Sequence, residues 1–331
     1  MEIPAGLSDS ERRMWEAFPS GTNVDYRTGS ATDDDPEHGD AWGPERQVRA
    51  EILGRLLCGE VPVPSGSIGS VRLVGARITG EILLQDVEVQ HSLWLEACDI
   101  ADGIDLSEAA TRSLQLDNCH LGPVRMIGVT ISGSLSLRGS HIDGHGEPAL
   151  QADMSTVSGA VLCDGGFRAD GAVTLPGARV AAQVSFSGAH LSGTEGYALM
   201  ADRLYTQDMF CDAGFTTDGL MSLAYATIGV IQDTGTSWPQ SLNVDGLTYD
   251  DLQPYLPASE RIEWLGRMTG YRDQPYQQLA AYYRRLGNDE QARIVLLARQ
   301  RRRRDQHSWW TRWWGWIQDA LVGYGYAPNG D

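Results

Sequence analysis

No lysine occurs in this chain of 331 residues, so all 26 basic residues are arginines. That skew is typical of GC-rich genes and marks source rather than mechanism. The five cysteines are odd in number and scattered, and no CxxC or Cys/His pair accompanies them. Metal-binding spacing is therefore absent. No apolar run reaches the roughly 18 residues of a membrane-spanning helix. The opening MEIPAGLSDSERRMWEAF has no apolar leader core, so a cytoplasmic location is expected. Nor is there a Walker loop, a GxSxG or an HExxH. Asp164-Gly165-Gly166 lacks the GxGxxG order, and no helix is expected after it. No catalytic, cofactor-binding or metal-binding residue is assigned from these patterns, and the chain is not expected to be an enzyme.

What the chain does have is a hydrophobic phrase repeated between about Val71 and Ile231. It reads apolar, any, apolar, then a small residue, then one more apolar residue five after the second. VRLVGARI, LWLEACDI, LQLDNCHL, VTLPGARV, VSFSGAHL and MSLAYATI all carry it. The second apolar positions, Leu73, Leu84, Leu95, Leu106, Leu116, Met126 and Leu137, are spaced by 11, 11, 11, 10, 10 and 11 residues. This is neither a helical period nor sustained strand alternation. It suits a chain that runs straight, turns a corner and runs straight again, with two phrases to a coil. The small residues Ala76, Cys98, Cys119, Ala178, Ala189, Ala213 and Ala226 would fill the narrow part of the interior. Leu73, Leu95, Leu116 and Leu137 should stack in one column. Stacked repeats of this kind predict a parallel β-solenoid.

The spacing resembles the pentapeptide-repeat family. That resemblance implies a right-handed, four-sided parallel β-helix, mainly β in class. The register slips at Asp143–Leu150 and Gly193–Tyr197, both expected to be corner loops.

Four segments are expected. Residues 1–41 read as a flexible acidic segment. Residues 42–60 read as a helix entered at Pro44, which caps the first coil through Val48, Ile52 and Leu56. Residues 61–235 are the solenoid. Residues 236–331 are an α-helical module with an Arg/Trp-rich tail. Within the module, one helix is expected to pack through Leu279, Tyr282, Tyr283 and Leu286. A second should pack through Ala292, Val295, Leu296 and Ala298.

Net charge is −18, unevenly spread. Residues 61–233 carry 20 acids and 8 arginines, whereas residues 293–331 carry seven arginines and three acids. Half of the ten tryptophans fall between Trp309 and Trp316, just after four consecutive arginines. Arg301, Arg302, Arg303, Arg304, Trp309, Trp310, Trp313, Trp314 and Trp316 are the candidate docking residues. Tryptophan rings suit headgroup depth and guanidinium groups suit lipid phosphates. An amphipathic helix is expected over Trp309–Val322.

The motifs WGPERQVRAEIL, VRLVGARITGEI, PYQQLAAYYRRLGNDEQAR and WGWIQDALVGYGY, in this order, resemble a group of actinobacterial proteins. These are commonly labelled membrane-associated oxidoreductases or pentapeptide-repeat membrane proteins. In that group the last motif is typically followed by transmembrane helices, a part this sequence does not include. The missing dinucleotide fingerprint argues against the oxidoreductase part of the label.

The expected function is that of a non-enzymatic scaffold, peripheral on the inner face of a membrane or bound to a protein partner. Self-association is a further partner class, and nucleic acid is not expected to bind an acidic body. One alternative is a DNA mimic that binds a topoisomerase. Seven coils at about 4.8 Å each give only about 35 Å, and arginines interrupt the acids. Another is an enzyme with its site where helices meet solenoid. His120 and His141, 21 residues apart, should project from one face, with Asp99 and Asp143 near them. His145 and Glu147 lie in the slipped loop.

Overall fold

The computed structural model describes residues 4–63, 69–212, 214–235 and 237–304. They form two compact units, Met1–Tyr255 and Leu256–Asp331. The first is a solenoid of parallel strands with about eight turns.

The repeat phrase explains each turn. In Ser92–Glu96 the inward Leu93 and Leu95 alternate with outward Trp94 and Glu96, as period-2 geometry requires. Ala97 then takes a left-handed conformation, φ 49°, and turns the corner. Cys98 and Ile100 are buried beyond it. Leu73 pairs in register with Leu95, and Leu95 with Leu116. Leu114 pairs with Leu135, which carries the column on to Leu137. The intervening anchors Leu84, Leu106 and Met126 stack in a second column, fixed by the pairing of Ile82, Val124 and Ile104. Two phrases therefore make one coil, and all seven anchors are buried.

The early coils have four short sides. From Arg179 onward, pairs of sides fuse. Strand Arg179–Ser185 pairs with both Thr156–Val157 and Val161–Leu162. Strand His190–Met200 likewise pairs with both Arg168–Asp170 and Val173–Thr174. The slip at Gly193–Tyr197 is thus a register shift inside a long strand and not a corner loop. Residues 144–149 do leave the stack as a turn between strands. Ala213 lies outside the described residues. By register, Phe215 occupies the position of Ala189, because His190 pairs with Thr216.

The interior thiols form a ladder. The backbone N–H groups of Ala76 and Cys98 donate to Cys98 Sγ and Cys119 Sγ, both at 3.4 Å. The Cys119 N–H donates to Ser140 Oγ at 2.9 Å. Burial pushes the Cys119 thiol well above its ordinary value. These cysteines fill space and accept hydrogen bonds.

Three segment expectations need correction. Residues 1–41 are not loose. Helix α1 (Asp9–Ala17) opens with a Ser8/Glu11 capping box and buries Met14 and Trp15. Strand Val24–Asp25 then pairs with Leu73 and Val74. The second segment is not a helix from Pro44. Gln47–Arg49 is a strand paired with Arg77–Thr79, and helix α2 runs from Ala50 to Leu57. Val48 is therefore buried as a strand residue, whereas Ile52, Leu53 and Leu56 are buried on α2. A methyl added at Gly54 would lie 3.9 Å from Leu84 Cδ2, which sets α2 against the first coil. Finally, the solenoid continues past 235. Strands Ser241–Asn243 and Thr248–Gln253 extend it, and Trp238 is buried with its Nε1 donating to Asp233.

The second unit holds helices α3 (Ala258–Gly266), α4 (Asp273–Arg285) and α5 over 289–304. Leu279, Tyr282, Tyr283, Ala292 and Val295 are buried as expected, but Leu286, just past the end of α4, is 51% exposed. Tyr283 donates to Leu256 O at 2.6 Å, and the Ala258 N–H to Gln291 Oε1 at 2.7 Å.

Replacing Leu116 by alanine should cost about 2–5 kcal/mol in denaturant unfolding, because the paired coils above and below restrict collapse. The cap gives a second test. Glu11 accepts from Arg49 Nε at 2.6 Å and from the Arg49 backbone N–H at 3.1 Å, joining α1 to the edge strand. Burial opposes ionisation of Glu11, yet hydrogen bonds from Arg49 and Ser8 hold its carboxyl at about 2, against an ordinary 4.5. The folded-state value is the lower one, so protonation favours unfolding. The contribution is complete above the ordinary value and disappears as pH falls toward about 2. Glu11→Gln should cost about 1.5–3 kcal/mol at neutral pH. In acid titrations followed by circular dichroism, the variant should lose less stability than the parent between pH 5 and pH 2, roughly.

Candidate functional site

Parallel, in-register coils place equivalent residues about 4.8 Å apart, so one outward position becomes a row. On one face of the solenoid that row runs Arg77, Asp99, His120, His141, Arg168 and His190. Its members interact along the stack. His120 Nδ1 lies 2.9 Å from Asp99 Oδ1, and Arg77 Nε is 3.5 Å from Asp99 Oδ2. The His120 and His141 rings are 5.7 Å apart. His141 Nε2 lies 2.8 Å from Asp170 Oδ2, and Ser192 Oγ donates to Asp170 Oδ1 at 3.1 Å.

The hydrogen bond with Asp99 raises the His120 value above 6.5 against the effect of burial, and the charges of Asp99, Glu37 and Asp143 add to it. Asp170 is held below the usual carboxylate range. Burial opposes this, but hydrogen bonds from His141 and Ser192 outweigh it.

Part of this row is covered. Residues 36–41 form two short 3₁₀ pieces that meet at a kink at His38, with the Asp35 side chain accepting from the Glu37 N–H. Glu37 Oε1 sits 3.0 Å from His141 Nδ1. Arg77 Nη1 donates to Asp40 O at 2.6 Å. Gly39 lies so close to Asp99 that an added Cβ would fall 2.2 Å from Asp99 Cβ, and Asp99 is only 2% exposed.

The structure thus brings together His120, His141 and Asp99. Asp143 turns instead to His145, at 3.3 Å, and Glu147 to Arg125, at 2.6 Å. Sequence reasoning missed Glu37 and Asp170. Asp170 could have been found by carrying the register across the 144–149 turn. Glu37 arrives from 104 positions away and left no sequence signal. Chemically, the row orients imidazoles between carboxylates. Among the described residues, no His, Cys, Asp or Glu group is arranged to hold a metal ion. A shallow depression of about 490 Å³ on the solenoid, lined by Glu88, His91, Arg112 and Thr130, shows no close acid–base pair.

The docking residues divide. Arg301, Arg302, Arg303 and Arg304 are exposed at the end of α5. Arg302 donates to Gly266 O at 2.9 Å. Trp309, Trp310, Trp313, Trp314 and Trp316 lie outside the described residues, as does the helix expected there. On α5 itself Ile294 and Leu297 are 38% and 43% exposed. With Arg301 and Arg304 they fall at three- and four-residue steps, which makes one solvent-facing stripe. No helix among the described residues is long and apolar enough to cross a membrane.

Comparisons of the chain with protein-family models, with curated proteins and with solved structures each find no match.

Proposed function

We propose that the chain is a non-enzymatic scaffold in which an acidic solenoid is held at an anionic membrane surface by its C-terminal helices. The observation that carries this reading is the exposed stripe of α5, where Ile294 and Leu297 share a face with Arg301 and Arg304. Apolar and cationic groups on one helix face suit the boundary between acyl chains and anionic headgroups. The five tryptophans that follow in the sequence add side chains of interfacial preference. The resemblance of WGWIQDALVGYGY to segments that precede membrane spans supports the same placement.

The solenoid's acids favour a scaffold over a DNA mimic. Many of them accept hydrogen bonds from the next coil. Asp117 accepts from Ser136 Oγ and the Arg138 N–H, Asp153 from Thr174 Oγ1, and Asp202 from Ser222 Oγ and the Ala224 N–H. Carboxylates committed to the stack make a poor copy of evenly spaced, freely presented phosphates.

Flotation with vesicles tests the proposal. The intact chain should bind anionic vesicles and not neutral ones, and added salt should weaken the binding. A version ending at Gln300 loses four arginines worth about 1 kcal/mol each near such a surface, so its affinity should fall by at least about tenfold. Equal binding by the two versions, or no binding by either, would refute the membrane reading.

A further inference from the structure

We propose that residues 35–41 are a pH-responsive strap, latched across the charged row while both ring nitrogens of His141 carry hydrogen and released when one is lost. The geometry at His141 carries the proposal. Its two ring nitrogens face two carboxylates, Glu37 at 3.0 Å and Asp170 at 2.8 Å. An ionised carboxylate only accepts, so both bonds exist together only when both nitrogens carry hydrogen. That species is the imidazolium. Loss of either proton points a ring lone pair at a carboxylate, and one contact must open.

Glu37 is the partner that leaves. Asp170 is held from its own side by Ser192 Oγ and by Arg168 Nη2 at 3.4 Å. The Glu37 side chain is 49% exposed and sits on a short 3₁₀ segment kinked at the next residue, His38. Other titratable or charged groups lie on the elements packed around His141. His120 lies on the preceding coil and Arg168 on the following one. Asp143 is two residues along its own strand and pairs with His145. The strap itself adds His38, which pairs with Asp35 at 3.4 Å.

His120 works beneath the same strap. Protonated, it shares Asp99 with Arg77, and this keeps Asp99 balanced under Gly39. A neutral His120 can keep its hydrogen on Nδ1 and still hold Asp99, so the latch itself rests on His141. Arg77 is also the residue that holds Asp40 O. The His141 imidazolium is the form that keeps both contacts, so low pH favours the latch and high pH opposes it.

Amide hydrogen exchange of the whole chain, read by mass spectrometry at about pH 5.5 and about pH 8.5 and corrected for intrinsic rates, tests this. Protection of 35–41 should fall by about tenfold or more at the higher pH, the worth of one charge-assisted hydrogen bond. Solenoid peptides containing Leu121 and Ile142 should not change. Glu37→Ala and His141→Ala should leave the strap weakly protected at both pH values. Equal protection of the parent at the two pH values would overturn the proposal. So would a pH response that persists unchanged in both variants, since the latch would then lie elsewhere.

Discussion

The solenoid depends on one constraint: every coil must set its backbone N–H and C=O groups opposite those of the next, in parallel register. A slip of one residue would turn Leu93 and Leu95 outward and bring Trp94 and Glu96 into the interior. The 10- or 11-residue spacing is what keeps the two anchor columns aligned. Extra residues are tolerated only where they can leave the stack. The interval from Val124 to Leu150 is longer than that from Ile104 to Val124, yet all three are paired in one column. The surplus is ejected as the 144–149 turn and tied back by Glu147 to Arg125. Corners carry the same discipline. One corner column runs Asp86, Glu108, Gly128, Met154, Gly177, Arg203, Tyr225 and Gly246, all with positive φ.

Charge is shaped by the same register. An acid on one coil finds a hydroxyl or amide on the next, so the solenoid gathers carboxylates without leaving them all as free surface charge. Asp212, for instance, accepts from Gln232 Nε2 at 2.8 Å and from Ser187 Oγ. The reading of the chain as acidic is correct as a sum. As a description of what a partner meets, it is incomplete, because part of that charge is spent on joining coils.

How much of this was legible follows from what a periodic pattern encodes. The fold class, the alternation of the two columns, the buried Cys98/Cys119 pair and the facing of His120 and His141 all follow from repeat spacing, and sequence reasoning reached them. The repeat ends were misread. Residues 1–60 carry no phrase, so the acidity of 1–41 suggested a loose tail and the apolar spacing of 42–60 a single helix. In fact Val24–Asp25 and Gln47–Arg49 add the edge strands that complete the first coil. The same blindness placed the solenoid's end at residue 235, because in LNVDGLTY Leu247 stands where the phrase has a small residue. At the site, Glu37 was invisible because a contact between a non-repeating segment and a repeat has no period. The tryptophans, the loudest signal in the sequence, fall beyond the described residues.

Departures from the repeat are where this fold can hold function, since the repeat itself is fully explained by stacking. Met154 and Tyr225 illustrate the distinction. Each takes a left-handed conformation at a corner where glycine is the cheaper choice, and each is largely exposed. Their side chains lie over Gly177 and Gly246 of the next coil, where an added Cβ would come within 2.6 Å and 2.3 Å of them. The large residue and the glycine are thus two halves of one packing arrangement, and stacking accounts for both. No such account covers Glu37. The first coil is already closed by two edge strands and α2, and the turn that covers Asp99 carries Glu37 beyond that closure to His141. A carboxylate carried past the cap to an imidazole that another acid already holds is redundant for folding. Its consequence is to make the cover over the row depend on a proton.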